Sequence, residues 1–130
     1  MGYLWVAIGG ALGSMARYGC SGWVTRVVGG IFPYGTMVVN VSGAVVIGFF
    51  AAFGLPDGRI LLPVPARLFV MTGICGGYTT FSTFSLETLF LLREGQWPRA
   101  VANAVLSVAL CLLAAWAGFA AGMNLNRGGS

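Results

Sequence analysis

The residues that can do chemistry are concentrated in Gly73-Ile74-Cys75-Gly76-Gly77-Tyr78-Thr79-Thr80-Phe81-Ser82-Thr83-Phe84-Ser85. Three glycines in five residues give way to a run of hydroxyl and aromatic side chains. This set suits the holding of small ions rather than the making of bonds. Glycine-rich backbone inside an apolar run is tolerated in a bilayer only where protein or a cavity covers it. A helix break at Gly76-Gly77 is predicted, and it would free carbonyls for a hard cation. Two such breaks meeting on a two-fold axis would surround one monovalent ion with four carbonyls. The half-helix after the break would begin near Thr79-Thr80 and aim its positive end at the centre, which favours an anion. Phe81 and Phe84 share one helical face. Their ring edges are electropositive and can meet a small dehydrated anion. Taken alone, two Phe at this spacing read as ordinary lipid or core packing; the hydroxyls around them make that reading less comfortable.

Other polar residues stand out against an apolar chain. Arg17 follows Gly9 and Gly13 at helical spacing. It reads as a structural or cavity-mouth charge, or as a snorkelling one. Thr36, Asn40, Gly43 and Ala44 fall on one small, polar helix face. Asn40 there serves either as interhelical glue or as an ion-facing amide. Glu87 lies one turn beyond Thr83, placed for a proton site, an Arg partner or a vestibule. Asn103, Ser107 and Cys111 recur at i, i+4, i+8. That stripe is a second wall of an ion path or a set of interhelical hydrogen bonds.

The elements that must position these groups follow from composition. Of 130 residues, 58% are hydrophobic and 8% charged, against about 25% charged in soluble domains. The class is an all-α membrane protein. Four stretches approach the ~20 apolar residues a spanning helix needs: about 3–28, 34–55, 65–92 and 98–123, a single transmembrane domain over 1–130. Gly29-Gly30, Pro56-Asp57-Gly58 and Gly95 with Pro98 punctuate them. The polar tail 124–130 is expected to fray. Gly9/Gly13 and Gly118/Gly122 are GxxxG pairs that let helix backbones approach.

Several function classes drop out. The chain has no His, and its cysteines, Cys20, Cys75 and Cys111, are widely spaced. Neither a metal-ligand cluster nor a nucleophile–base pair can be assembled, so an enzyme is not expected. The basic residues are seven scattered Arg, which gives nucleic acid no patch. Alternation across four spans puts Arg59, Arg67 and Arg127 on one side and Arg26, Arg93 and Arg99 on the other. Without Lys/Arg asymmetry nothing fixes an orientation. An antiparallel, dual-topology homodimer with two-fold symmetry in the membrane plane follows.

Three motifs in order carry a resemblance that spans nearly the whole chain. They are Gly9-Gly10-x-x-Gly13-x-x-x-Arg17-Tyr18, Pro33-x-Gly35-Thr36-x-x-x-Asn40-x-x-Gly43, and the stretch from Gly73 to Ser85. Together they resemble the Fluc (CrcB) family of fluoride channels. The resemblance implies an antiparallel dimer in a cell inner or plasma membrane, with two anion pores. It implies one central structural Na⁺, held by backbone oxygens of Gly76 and Thr79 from both subunits. Phe81 and Phe84 would be the rings fluoride passes, and Asn40 the pore-facing amide. Ser82 and Thr83 would belong to a polar track, with Asn103 and Ser107 on its helix-four side. Arg17 and Glu87 would be vestibule or structural residues. The partners implied are a second copy, fluoride and lipid. Two other readings compete. A small multidrug exporter would need a membrane acid in its first helix, where this chain has Arg17. A non-conducting assembly subunit would use the GxxxG pairs and leave the hydroxyl–aromatic run without purpose.

Overall fold

The computed structural model describes residues 1–56 and 58–127. Helices α1 (Gly2–Val28) and α2 (Tyr34–Ala51) come first, and a 3₁₀ turn, Ala52–Gly54, tightens the end of α2. A rod over 64–78 follows, built of α3 (Val64–Arg67), a π-helical segment Leu68–Cys75 and α4 (Gly76–Tyr78). After an extended pair of residues come α5 (Phe81–Arg93) and α6 (Trp97–Asn126). The described residues contain helices and no strands, as expected. By length and hydropathy, Tyr34–Gly54 and Trp97–Asn126 are suited to cross a bilayer.

The turns obey local chemistry. Gly29 ends α1 with φ 68° and Gly95 separates α5 from α6 with φ 75°, backbone positions that only glycine takes without penalty. Pro98 sits in the first turn of α6, where its missing N–H costs nothing. The expected second span overran by a residue. Helical backbone stops at Gly54, and Leu55 is already extended, as the following Pro56 requires. Asp57, which marked the same break, lies outside the described residues.

Small residues form the interior and large ones the exterior. Gly9, Gly13, Gly43, Gly48, Gly118 and Gly122 are buried, while Leu112, Leu113 and Trp116 are each more than three-fifths exposed. In water this distribution would be inverted; beside lipid it leaves close backbone packing as the adhesive. The glycines do this work pairwise. A Cβ on Gly9 would stand 2.3 Å from the Phe69 carbonyl oxygen, and one on Gly13 2.1 Å from that of Ile74. So α1 lies directly on the rod. On the other side, a Cβ on Gly118 would meet the Val45 oxygen at 2.0 Å and one on Gly122 the Phe49 oxygen at 2.4 Å. Both GxxxG pairs therefore join helices, as their spacing predicts.

The fraying expected of 124–130 is not seen over its first part. Helix α6 continues to Asn126, whose side chain is 1% exposed. Asn126 Oδ1 accepts from Ile60 N–H at 2.6 Å, and its Nδ2 donates to the Ala52 carbonyl at 3.2 Å. The Asn126 carbonyl takes the Arg59 N–H. A polar tail frays only if its polar groups lack partners, and here the 55–63 connection supplies them. Residues 128–130 lie outside the described residues.

Candidate functional site

The third expected span does break, three residues later than predicted. Gly76 is helical at φ −63°, ψ −37°. Extended backbone begins at Thr79 (φ −84°, ψ 156°) and ends at Thr80 (φ −150°, ψ 119°). The glycines have another task. A Cβ on Gly77 would be 2.5 Å from the Gly10 carbonyl oxygen, and one on Gly73 2.9 Å from Gly9 Cα. They admit α1, while β-branched threonines, which favour extended backbone, carry the break. Gly76 is exposed and differs from its neighbours: the nearest atom to its missing Cβ is 3.8 Å away.

Side chains from two other helices hold the break open. Asn40 of α2 takes the Thr80 N–H on its Oδ1 at 2.8 Å and donates Nδ2 to the Thr80 carbonyl at 3.0 Å. One amide thus replaces both backbone partners that Thr80 would have in a helix. In an unbroken helix the Thr80 N–H would bond the Gly76 carbonyl, so the clasp leaves that oxygen without its helical donor. Arg17 of α1 donates Nε to the Gly77 carbonyl at 3.0 Å. That bond ties Arg17 to the backbone just before the break. Gly43 provides the notch, since a Cβ there would be 2.3 Å from Thr79 Cγ2. Tyr78 anchors the approach, with its hydroxyl 2.9 Å from Ser42 Oγ and 3.4 Å from Cys20 Sγ.

Beyond the break, Thr80 caps α5. Its Oγ1 accepts the Thr83 N–H at 3.1 Å and donates to the Thr83 hydroxyl oxygen at 3.1 Å, satisfying a donor the helix start leaves open. Because Thr83 N–H is spent on this cap, the Thr79 carbonyl also loses its helical donor. The carbonyls of Gly76 and Thr79, the predicted cation ligands, are therefore both released from helical bonding. Phe81 and Phe84 follow with ring centroids 5.4 Å apart and planes at 45°. Phe81 is 76% exposed.

A cavity of about 340 Å³ opens on this side, lined by Asn40, Thr79, Thr80, Phe81, Phe84 and Ser107, with Cys111 on its α6 wall. Four predicted pore residues, Asn40, Phe81, Phe84 and Ser107, are thus brought together with the predicted cation ligand Thr79. Thr83 and Glu87 line a different, larger cavity of about 630 Å³, with Tyr18, Arg26 and Thr36. There Thr36 Oγ1 donates to Glu87 Oε1. Asn103 lines neither cavity. It is 2% exposed and donates Nδ2 to Thr88 Oγ1 at 2.9 Å, while its Oδ1 accepts from Ser107 Oγ at 3.3 Å. It bridges α5 and α6 from behind the Phe pair. Ser82 is exposed, its Oγ 3.2 Å from Thr80 Oγ1. Thr80, Ser42 and Thr88 went unassigned in the sequence. Thr80 alone carried a signal: a Thr three residues before another hydroxyl at a predicted helix start.

Chemically, the smaller cavity offers hydrogen-bond donors, ring edges and a helix N-terminus, and no basic side chain. It can hold a small anion by dipoles instead of by a counter-charge.

Comparison with known proteins agrees over almost the whole chain. The family model for CrcB-like protein, Camphor Resistance (CrcB), matches residues 4–119. A fluoride-specific ion channel FluC of Opitutus terrae is 55% identical over 124 residues, 95% of this chain and 94% of that one. The proteins of the same name from Rhodospirillum rubrum and Methylocella silvestris are 53% and 51% identical. They cover 98% of this chain, and 99% and 97% of their own lengths. With its three motifs gathered around one clasped break, the chain belongs to the CrcB-like family.

Proposed function

We propose that this protein is a fluoride-selective channel that lets F⁻ leave the cytoplasm down its electrochemical gradient. The observation that carries the reading is the cavity beside the break. Its paired Phe rings and the Asn40 amide occur in a chain half identical to proteins named fluoride-specific channels. Fluoride binds water tightly, so a pore must replace that water with directed donors. Asn40 keeps one amide hydrogen after clasping Thr80. The ring edges of Phe81 and Phe84 and the start of α5 extend the set, while the Ser107 hydroxyl, which donates to Asn103, lines the cavity beside them. Larger halides would be excluded by the spacing of the rings. An interior-negative potential drives the anion outward, and no energy source is needed.

The working unit is an antiparallel, dual-topology homodimer, each chain crossing a cell inner or plasma membrane four times as one domain. The broken span counts as one crossing made of 64–78 and α5. Support comes from the balanced arginines and from the surface of the single chain. Phe81 is three-quarters exposed beside a cavity it should close, and Gly76 presents bare backbone. Both features suit a facing copy. The Gly76 and Thr79 carbonyls, released by the break, fit a hard monovalent cation in donor type. A Na⁺ held by both copies would supply fixed positive charge at the dimer centre. Arg17 would steady the adjoining carbonyl, and Glu87, with Thr83, would line the entrance.

The test is fluoride efflux from liposomes reconstituted with the purified protein, with sodium and sodium-free arms. Fluoride efflux that far exceeds chloride efflux is expected. Chloride passing as readily as fluoride would refute the channel assignment. Unaltered flux and dimerisation without sodium would remove the cation while leaving the channel.

A further inference from the structure

The end of the molecule that carries Arg59, Arg67 and Arg127 holds a cavity remote from the break. It lies where the 3₁₀ turn after α2 meets the start of the rod, and its volume is about 480 Å³. Ala51, Leu55, Val64, Leu68 and Met71 line it, with the Arg67 side chain as its one charge. Arg67 folds across Gly54: a Cβ on that glycine would stand 3.4 Å from Nη1.

Arg67 differs from Arg17 in one respect. Arg17 spends its Nε on a carbonyl. The Nε of Arg67 is shut off from solvent and has no hydrogen-bond partner. With Nε closed off, it is the outer Nη groups of this half-buried side chain that can meet an occupant of the cavity, and a guanidinium is shaped to take oxyanions on its planar fork. The wall beside it is mostly hydrocarbon, with Thr72 its one hydroxyl. A free phosphate would use the guanidinium and leave that wall unmatched; an amphiphile with an anionic head would use both. Basic pockets between membrane helices bind acidic lipid head groups in this way. Arg59, exposed and tied by its backbone to Asn126, adds positive charge at the same end.

We propose that this cavity is a binding site for an anionic phospholipid. The phosphodiester sits on Arg67 and one acyl chain runs along Leu55, Leu68 and Met71. The site needs a bilayer but does not depend on which ion the break conducts, so its test has a readout separate from flux.

Full-length protein in neutral detergent is titrated with short-chain phosphatidylglycerol, with phosphatidylcholine of the same chains, and with inorganic phosphate. Retained lipid is counted by native mass spectrometry, and melting temperature is followed in parallel. Phosphatidylglycerol should be retained about tenfold more tightly than phosphatidylcholine, as expected for a charge-assisted hydrogen bond to the guanidinium. Arg67→Gln should abolish that preference and Arg59→Gln should leave it. Equal retention of the two lipids by the native protein overturns the proposal. So does an unchanged preference in Arg67→Gln, or stabilisation by phosphate that matches phosphatidylglycerol. If Arg67→Gln does not fold, Leu55→Trp replaces it, filling the trough while keeping the guanidinium. Loss of phosphatidylglycerol retention there supports the site, and full retention overturns it.

Discussion

Helix α2 meets α6 and the break in opposite ways. Toward α6 it offers Gly48, where a Cβ would lie 2.2 Å from the Ala115 carbonyl oxygen, and it receives Gly118 and Gly122 in return. That seam is backbone against backbone. Toward the break it offers Thr36, Asn40 and Gly43, and the contacts are Thr36 to Glu87 and Asn40 to Thr80. The first face sets a distance and the second sets where polar groups point. A helix without side chains at its contacts can lock a bundle, but it cannot present a donor to an ion. The chain therefore keeps close adhesion and polar hydrogen bonding on separate faces of one helix.

Substitutions can break this division, beginning where the effect is largest. Gly118→Leu places a side chain into backbone that has nowhere to move. The α2–α6 seam should open at a cost of about 3 kcal/mol or more, with no monodisperse dimer recovered on size exclusion. A folded, conducting Gly118→Leu protein would show that the seam is not what holds the bundle. Asn40→Leu comes next. It strands the N–H and carbonyl of Thr80, each worth about 1–3 kcal/mol when buried unpaired. Melting temperature should fall and fluoride efflux should drop below detection, while the α2–α6 seam survives. Normal efflux from this variant would dissociate the clasp from conduction.

Phe81→Ile sharpens the contrast, because Phe81 makes little of the single-chain core. Efflux should fall by about two- to twelvefold, since a ring contact carries roughly 0.5–1.5 kcal/mol. The dimer should elute unchanged. Loss of the dimer with flux per folded protein intact would instead make Phe81 a packing residue. The smallest effect is expected for Cys111→Ser, on the α6 wall of the same cavity. A hydroxyl there replaces a thiol of similar size, and efflux should stay within about twofold, inside the ±0.5 kcal/mol usual for mild changes. A larger change would move Cys111 from wall to ion path.

Much of this was legible in the sequence where the cause was local. Both GxxxG pairs join helices because the absence of a Cβ acts at the glycine itself. The Phe81–Phe84 face follows from helical spacing. The break was misplaced by three residues because glycines suggest flexibility, whereas Gly73 and Gly77 serve close approach to α1. What fixes the break is Asn40, forty positions away, and no local pattern shows a side chain bonding distant backbone. The polar track divides by helical spacing within α5. Thr83 and Glu87 lie on the opposite side of that helix from Phe81 and Phe84, so the two pairs line different cavities. Asn103 and Ser107 share a stripe as their spacing predicts. Only Ser107 reaches the smaller cavity, because Asn103 is drawn into its bond with Thr88. Asn126 read as part of a loose tail since its partners, Ile60 and Ala52, are distant in sequence.

The Asn126 clasp also bears on how the molecule is made. Ile60 is tied down by a side chain 66 residues further along, and a ribosome adds residues in order. For all that interval the 55–63 connection must wait without its staple, Arg59 included. Helices α1 and α2 and the rod must find their places without it, held by their glycine contacts and by bonds such as Arg17 to Gly77 and Tyr78 to Ser42. The clasp then acts as a closing stitch, recording an arrangement that the earlier helices have already chosen.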